Sequence, residues 1–237
     1  MNGIIDFHSH ILPGIDDGSS SVEESIAMLK REAEQGITHV VATPHFYARH
    51  DNPEHFFRRR AEAEQLLREE MEKHTGLPQL SVGAEVQFFA GMSHSDVLPA
   101  LTMGQTKCVL VEMLGVPWTE KMYHELEHLR YQCGLIPVIA HVDRYITPFR
   151  TYRIPERLEE LPVLVQANAG FFLSPRTRKM AMKMLQKDQI QLLGSDCHNL
   201  TSRVPNLGQA VELIRQRCGD AVVKRIQTYQ DTAFMNE

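Results

Sequence analysis

The sequence has no long apolar run. No stretch approaches the ~20 residues needed to cross a bilayer, so membrane insertion is not expected. No secretory leader is read ahead of Ile4-Ile5, the first apolar stretch. Cysteine is sparse: Cys108, Cys133, Cys197 and Cys218 show no C-x-x-C spacing, and the expected setting is a reduced cytoplasm. Positive charge is in deficit. Lys and Arg total 25 against 30 Asp and Glu, a formal charge of −5 that offers nucleic acid no basic face. The one basic run, Arg58-Arg59-Arg60, lies in a charged helical pattern with Glu62 and Glu64 and reads as a solvated face. Repeats, low-complexity tracts and linkers are absent too, so the 237 residues are expected to form one α/β domain spanning 1–237.

What the chain has in excess is histidine, twelve in all. Two sit in Ile4-Ile5-Asp6-Phe7-His8-Ser9-His10. Residues two apart on a strand share a face, so His8 and His10 can aim two imidazoles at one point. Further short apolar runs read as strands at Val40–Ala42, Leu80–Ala84, Val109–Val111, Ile136–Ala140, Val163–Val165 and Ile190–Leu193. Helical patterns lie between them: Ser21 (with Glu24 a capping box) to Gln35, Pro53 to His74, Thr119 to Gln132, and Pro175 to Lys187. Seven strands alternating with helices imply a parallel sheet.

His8, His10, His45, Glu85, Glu112, His141, Asp196 and His198 all fall at or just past the C-terminal end of a predicted strand. That end is the catalytic face of a βα barrel. Only a closed or nearly closed sheet gathers such residues into one mouth, so the expected fold is a distorted, TIM-like (β/α)7 barrel.

One zinc with three protein ligands would leave most of this set idle. Two or three divalent ions sharing Glu85 and Asp196 as bridges would use it. Imidazole and carboxylate without thiolate suit Mn, Fe or Zn better than copper. Clustered ions suit phosphoryl transfer, in which an activated hydroxide attacks phosphorus. Arg144, three residues past His141, and Arg203, five past His198, are placed to clamp phosphate oxygens. Either could instead be a surface ion pair.

These residues resemble a known family, the bacterial capsule and exopolysaccharide tyrosine phosphatases of the polymerase and histidinol phosphatase (PHP) superfamily. The resemblance is carried by Asp6 to Gly18, Ala42-Thr43-Pro44-His45, Gly83-Ala84-Glu85, Ala140 to Tyr145, Gln166 to Gly170 and Ser195 to Arg203. It implies a PHP-type barrel with three metal positions, usually served by manganese. One would be held by His8, His10, Glu85 and Asp196, the second by Glu85, Glu112 and His141, the third by Asp17, His45 and His198. Asp17 enters only through the resemblance, because it lies in a loop. The implied substrate is phosphotyrosine on a bacterial tyrosine kinase that controls polysaccharide export. Phe46 follows His45 where some members carry a polar residue, so the rim of the mouth is expected to differ. No general acid is identified, with His45 or a bound water as candidates.

Two further motifs compete. His124-Glu125-Leu126-Glu127-His128 matches the zinc-protease pattern H-E-x-x-H, but its histidines face away from the apolar stripe of their helix. Cys197 and Arg203 match the C-x-x-x-x-x-R loop of cysteine phosphatases, without a glycine between them to let the backbone close on an anion. Other readings are a small-molecule phosphatase acting on an ester such as histidinol phosphate, an amidohydrolase, and a non-catalytic scaffold that binds a kinase.

Overall fold

The structure is a computed structural model that describes residues 3–146 and 153–235. Strands alternate with helices along the chain: β1 (Ile4–Ser9), α1 (Val22–Glu34), β2 (Ile37–Ala42), β3 (His45–Phe46), α2 (Pro53–Met71), β4 (Gln79–Val82) and β5 (Glu85–Gln87). They continue as β6 (Cys108–Glu112), α3 (Glu120–Tyr131), β7 (Ile136–Ile139), α4 (Ile154–Glu159), β8 (Leu164–Asn168), α5 (Ala169–Leu173), α6 (Arg178–Gln186), β9 (Leu192–Gly194), α7 (Leu207–Cys218) and α8 (Asp220–Met235).

Every strand pair is parallel. Two of the seven expected strand positions hold two short strands each, separated by a break. Pro44, which cannot donate to a ladder, separates β2 from β3, and Gly83-Ala84 separate β4 from β5. The halves before the breaks form the sheet β1-β2-β4, and the halves after them begin the sheet β3-β5-β6-β7-β8-β9. The far edge returns to the start: the Asp196 N–H donates to His8 O (2.8 Å) and the His10 N–H to Cys197 O (2.9 Å), with a parallel bridge between Ser9 and Cys197. Seven strand positions thus curl into a distorted barrel with a thin seam between β1 and β9.

Both faces of the strands are buried. Ile5, Phe7, Val41, Cys108, Leu110, Ile136, Val138, Ala140 and Leu192 form one cluster, while their neighbours Ile4, Val40, Val109, Val111, Ile139 and Leu193 join the other. Alternation assigns the first set to the barrel interior and the second to the layer under the helices. Phe234 of α8 closes the interior from below, with its ring 5.5 Å from that of Phe7. Each fully buried Ile, Leu or Phe contributes about 1.5–3 kcal/mol. Packing at the seam is tight. A Cβ at Gly194 would meet His8 Cβ at 2.6 Å, so β9 can lie against β1 only with glycine there.

Local chemistry departs from expectation in several places. Ser21 caps α1 by accepting from the Glu24 N–H (3.2 Å), but Glu24 returns to Ser20 N and Oγ rather than to Ser21. The helix expected over 175–187 is α6 alone, with α5 standing apart, and α4 was not foreseen. Arg59 and Arg60 are not a solvated face. Arg59 donates to Ile15 O (2.6 Å), while Arg60 donates to Gly83 O (3.0 Å) and Ala100 O (2.9 Å). Only Arg58 of the three is exposed. Among the described residues, no helix is long and apolar enough to cross a membrane.

Candidate metal centre

Polar side chains take over where the interior alternation runs out at the top of the barrel. On β6 the series Cys108, Leu110 continues to Glu112, and beyond Val41 it continues through Thr43 to His45. On β8, Leu164 is followed by Gln166 and Asn168, and past β9, Leu192 leads through Gly194 to Asp196. Three ligands, His8, His10 and His141, break the alternation and are re-aimed by the backbone. The register of β1 shifts between Asp6 and Ser9, the kind of irregularity that turns side chains to a new face. His141 sits at φ 33° just past β7. Asp196 also has a positive φ, 55°. Such backbone costs about 1–3 kcal/mol for a residue other than glycine and concentrates at functional sites.

Glu85 lies at the centre. Its Oε1 is 2.7 Å from His141 Nε2, and its Oε2 is 3.3 Å from His8 Nε2, 3.3 Å from His10 Nε2 and 3.0 Å from His45 Nδ1. Asp196 Oδ1 is 3.5 Å from both His8 Nε2 and His10 Nε2. Asp17 Oδ1 is 3.3 Å from His45 Nε2 and from His198 Nε2. Glu112 Oε1 is 3.7 Å from His141 Nε2. All nine expected ligands are therefore gathered at one mouth. Seven of them fall into three tight groups: His10, Asp17, His45 and His198; His8, His10 and Glu85; and His45, Glu85 and Glu112, the last with His45 where His141 was expected, while Asp196 and His141 stand outside all three. His10 and His45 each face two groups, more sharing than expected.

A cation fits this set better than hydrogen bonds alone. His8 Nε2 and His10 Nε2 face each other at 3.2 Å, and two neutral rings can place at most one proton between them. Glu85 Oε2, His45 Nδ1 and His198 Nε2 are buried without a hydrogen-bond partner. Against burial, which alone would lower it, the hydrogen bond to Asp16 and the charges of Asp16 and Glu85 raise His10 to about 10. Against burial again, the charge of His8 and the imidazoles of His10, His141 and His45 beside it hold Glu85 well below the carboxylate range. Burial, with the charges of His10 and Arg203, lowers His198 to about 4. These imidazoles ligate only in their neutral form, so metal binding here would release protons.

Arg144 Nη2 donates to Asp196 Oδ2 at 2.5 Å and Arg203 Nη2 to Asp196 Oδ1 at 2.6 Å. Both guanidiniums are partly exposed, at 40% and 37%, so they have donors to spare for an anion entering the mouth.

Three supporting residues went unrecognised. Asp16, which the sequence marks only as a turn former, accepts from His10 Nδ1 (2.8 Å) and from the His45 N–H (3.1 Å). Gln166 Oε1 accepts from the His141 N–H (2.6 Å) and lies 3.4 Å from His8 Nδ1. Asn168 Nδ2 donates to Asp196 Oδ2 (2.9 Å). Period-two placement of Gln166 and Asn168 at a strand end was the available signal.

The rim differs from expectation. Phe46 points away from the mouth, 1% exposed, and packs edge-on against Phe56 at 5.0 Å, because adjacent strand residues face opposite sides. Tyr47 takes the rim instead, its ring stacked 5.3 Å from that of His45. Neither competing motif forms a site. His124 is exposed and pairs with Glu127, while Glu125 accepts from the Gly91 and Ser93 N–H groups (2.9 and 3.0 Å). Cys197 is fully buried, and burial, then the charges of Glu32 and Asp6, push its thiol well up. The N–H groups of Thr201, Ser202 and Arg203 all point at Asn199 Oδ1, leaving none of the three to cradle phosphate.

Fold and site together define a distorted βα barrel whose mouth gathers groups of imidazoles and carboxylates that could hold metal ions. The chain belongs to the capsular polysaccharide synthesis family CpsB/CapC, whose model matches residues 4–236. It is 27% identical over 233 residues to the tyrosine-protein phosphatase CpsB of Streptococcus pneumoniae, covering 94% of each chain. Its fold matches the crystal structures of YwqE from Bacillus subtilis and CpsB from S. pneumoniae, described as metal-dependent tyrosine phosphatases, with a TM-score of 0.86. That match has 23% identity and covers 99% of this chain and 95% of the other. A more distant fold match is the histidinol phosphate phosphatase of Lactococcus lactis, with a TM-score of 0.57, 13% identity, and 90% and 93% coverage.

Proposed function

We propose that this protein is a manganese-dependent protein-tyrosine phosphatase whose substrate is a phosphotyrosine protein, the expected one being a tyrosine kinase of polysaccharide export. The observation that carries the reading is Glu85, whose two oxygens face His8, His10, His45 and His141, with Arg144 and Arg203 converging on Asp196 beside it. Family membership and the name of the streptococcal relative support the substrate class.

His8, His10, Glu85 and Asp196 would hold one ion, Glu85, Glu112 and His141 a second, and Asp17, His45 and His198 a third; iron or zinc also suit these ligands. When bound, the ions lower the pKa of water and neutralise charge on the phosphoryl group. The protein does the positioning. Arg144 and Arg203 bind the phosphoryl oxygens and turn them for in-line attack. Asp16 and Gln166 fix the rings of His10 and His8 in one orientation and tautomer. His45 is the most open imidazole of the five, at 16% exposure, and can pass a proton to the departing oxygen. A phenol, with pKa near ~10, needs that proton less than an alcohol does.

The test compares kcat/KM on a phosphotyrosine peptide and on histidinol phosphate with manganese present. A preference of at least about tenfold for the peptide is expected. Preference for histidinol phosphate would make the protein a small-molecule phosphatase on the same centre.

A further inference from the structure

Outside the mouth, three acidic groups converge in the core between β1, α1 and the loop after β9. The ligand atoms of Asp6, Glu32 and Cys197 all lie within 4.8 Å of one another. All three residues are 0% exposed. Asp6 is well supplied with donors: Oδ1 accepts from the Ser195 N–H (2.9 Å) and the His8 N–H (3.1 Å), and Oδ2 from Ser195 Oγ (2.5 Å). Glu32 is not. Both of its oxygens are buried, and no N–H or O–H group of another residue reaches either, so the one hydrogen bond open to Glu32 is a proton shared with Asp6. Burial and the neighbouring Asp6 both oppose an ionised Glu32, and Arg31 offsets them only weakly.

Two ionised carboxylates cannot stay this close in a core, so something positive must lie between them. A single proton shared by Glu32 and Asp6 answers one Glu32 oxygen and leaves the other unpaired, with the thiol idle beside it. A divalent cation answers all three groups. Two carboxylates and a thiolate around a divalent ion leave one net negative charge, no more than a buried Cys3His zinc site carries. Sulfur in the set favours zinc, or cobalt as its probe, over manganese.

We infer that Asp6, Glu32 and Cys197 form a buried structural site for a divalent cation of zinc type, separate from the mouth. The ion ties α1 to the β1–β9 seam. Because Cys197 lies between Asp196 and His198, it also pins the backbone of two mouth residues from behind. On binding, a sulfur–metal bond forms and the thiol proton leaves to solvent.

The test reconstitutes the chelated full-length protein with cobalt(II) and reads sulfur-to-cobalt charge-transfer absorption in the near ultraviolet. The residues that face the mouth offer only nitrogen and oxygen, so the band reports a thiolate ligand, and its loss in Cys197→Ser assigns that thiolate to the buried site. The band is expected in the wild type and in Cys133→Ser, which alters an exposed cysteine, and lost in Cys197→Ser. Glu32→Gln should bind the sulfur-ligated equivalent at least tenfold more weakly, and it keeps the test decisive if Cys197→Ser does not fold. A wild type without the band, a band surviving Cys197→Ser, or unchanged affinity in Glu32→Gln would overturn the site, the last result meaning that Glu32 and Asp6 share a proton. Hydrolysis of p-nitrophenyl phosphate by the same preparations reads the mouth independently, so failure of the phosphatase reading is told apart from failure of this one.

Discussion

Glu85 Oε1 stands 2.7 Å from His141 Nε2, while the other oxygen of the same carboxylate faces His8, His10 and His45. One side chain on β5 thereby connects ligands carried by β1, β3 and the end of β7. Glu85→Gln keeps the volume but halves the bridging capacity. It should lower kcat for p-nitrophenyl phosphate about a hundredfold or more, since losing several kcal/mol of charge stabilisation costs a factor of ten per ~1.4 kcal/mol. Steady-state kinetics with saturating manganese check this.

Arg144 and Arg203 approach opposite oxygens of Asp196. Each has donors left for substrate, and a lysine cannot reproduce a forked, planar grip. Arg144→Lys and Arg203→Lys should both raise KM and lower kcat, and should weaken inhibition by phosphate at least about tenfold. Loss confined to folding stability, with phosphate inhibition intact, would place the arginines outside the substrate site.

Tyr47 stacks on His45 at the rim. Burial, with the charges of Glu112 and Glu85, raises its phenol to about 12, so the ring enters the reaction neutral. Tyr47→Ala should raise KM for aryl phosphates severalfold while leaving alkyl phosphates nearly unchanged. Equal effects on both would remove the ring from substrate selection.

His39 gives the fold an acid sensitivity unrelated to metal. Its Nε2 pairs with Ser81 Oγ at 2.9 Å, and burial lowers its pKa to about 4. A lowered pKa means that the folded state binds the proton less readily than the unfolded chain does. Stability is therefore full above the unfolded value near ~6.5 and is lost as pH falls from there toward about 4. His39→Gln, whose amide can replace the bond to Ser81, should flatten urea-denaturation midpoints between these two pH values.

Much of the barrel is legible in the chain because its interior alternation is regular. The series through Leu110 and Leu192 runs straight on to Glu112 and Asp196, so a polar residue two or four places past an apolar inward one marks the mouth. His8 and His141 sit in the right segments but reach the mouth through a register shift and a left-handed backbone, which no period displays. Asp16 and Asp17 were obscured because a loop has no period, and Asp17 emerges only from likeness to a family. The breaks at Pro44 and Gly83 were marked by the residues themselves, but the transfer of β3 and β5 into a second sheet depends on tertiary pairing. Arg59 and Arg60 mislead for another reason: a charged helix looks solvated until its partners, backbone carbonyls of distant loops, are in place.

The proposed chemistry lies at the mouth rather than at a thiol, and one experiment separates the two. Hydrolysis of p-nitrophenyl phosphate is measured after chelation and again with manganese restored, in the wild type, Cys197→Ser and His198→Ala. The expected result is activity that disappears on chelation, returns with manganese, falls at least about a hundredfold in His198→Ala and is only partly reduced in Cys197→Ser, which loosens the backbone behind Asp196 and His198 but leaves every mouth ligand in place. Activity indifferent to chelator and abolished in Cys197→Ser would contradict it.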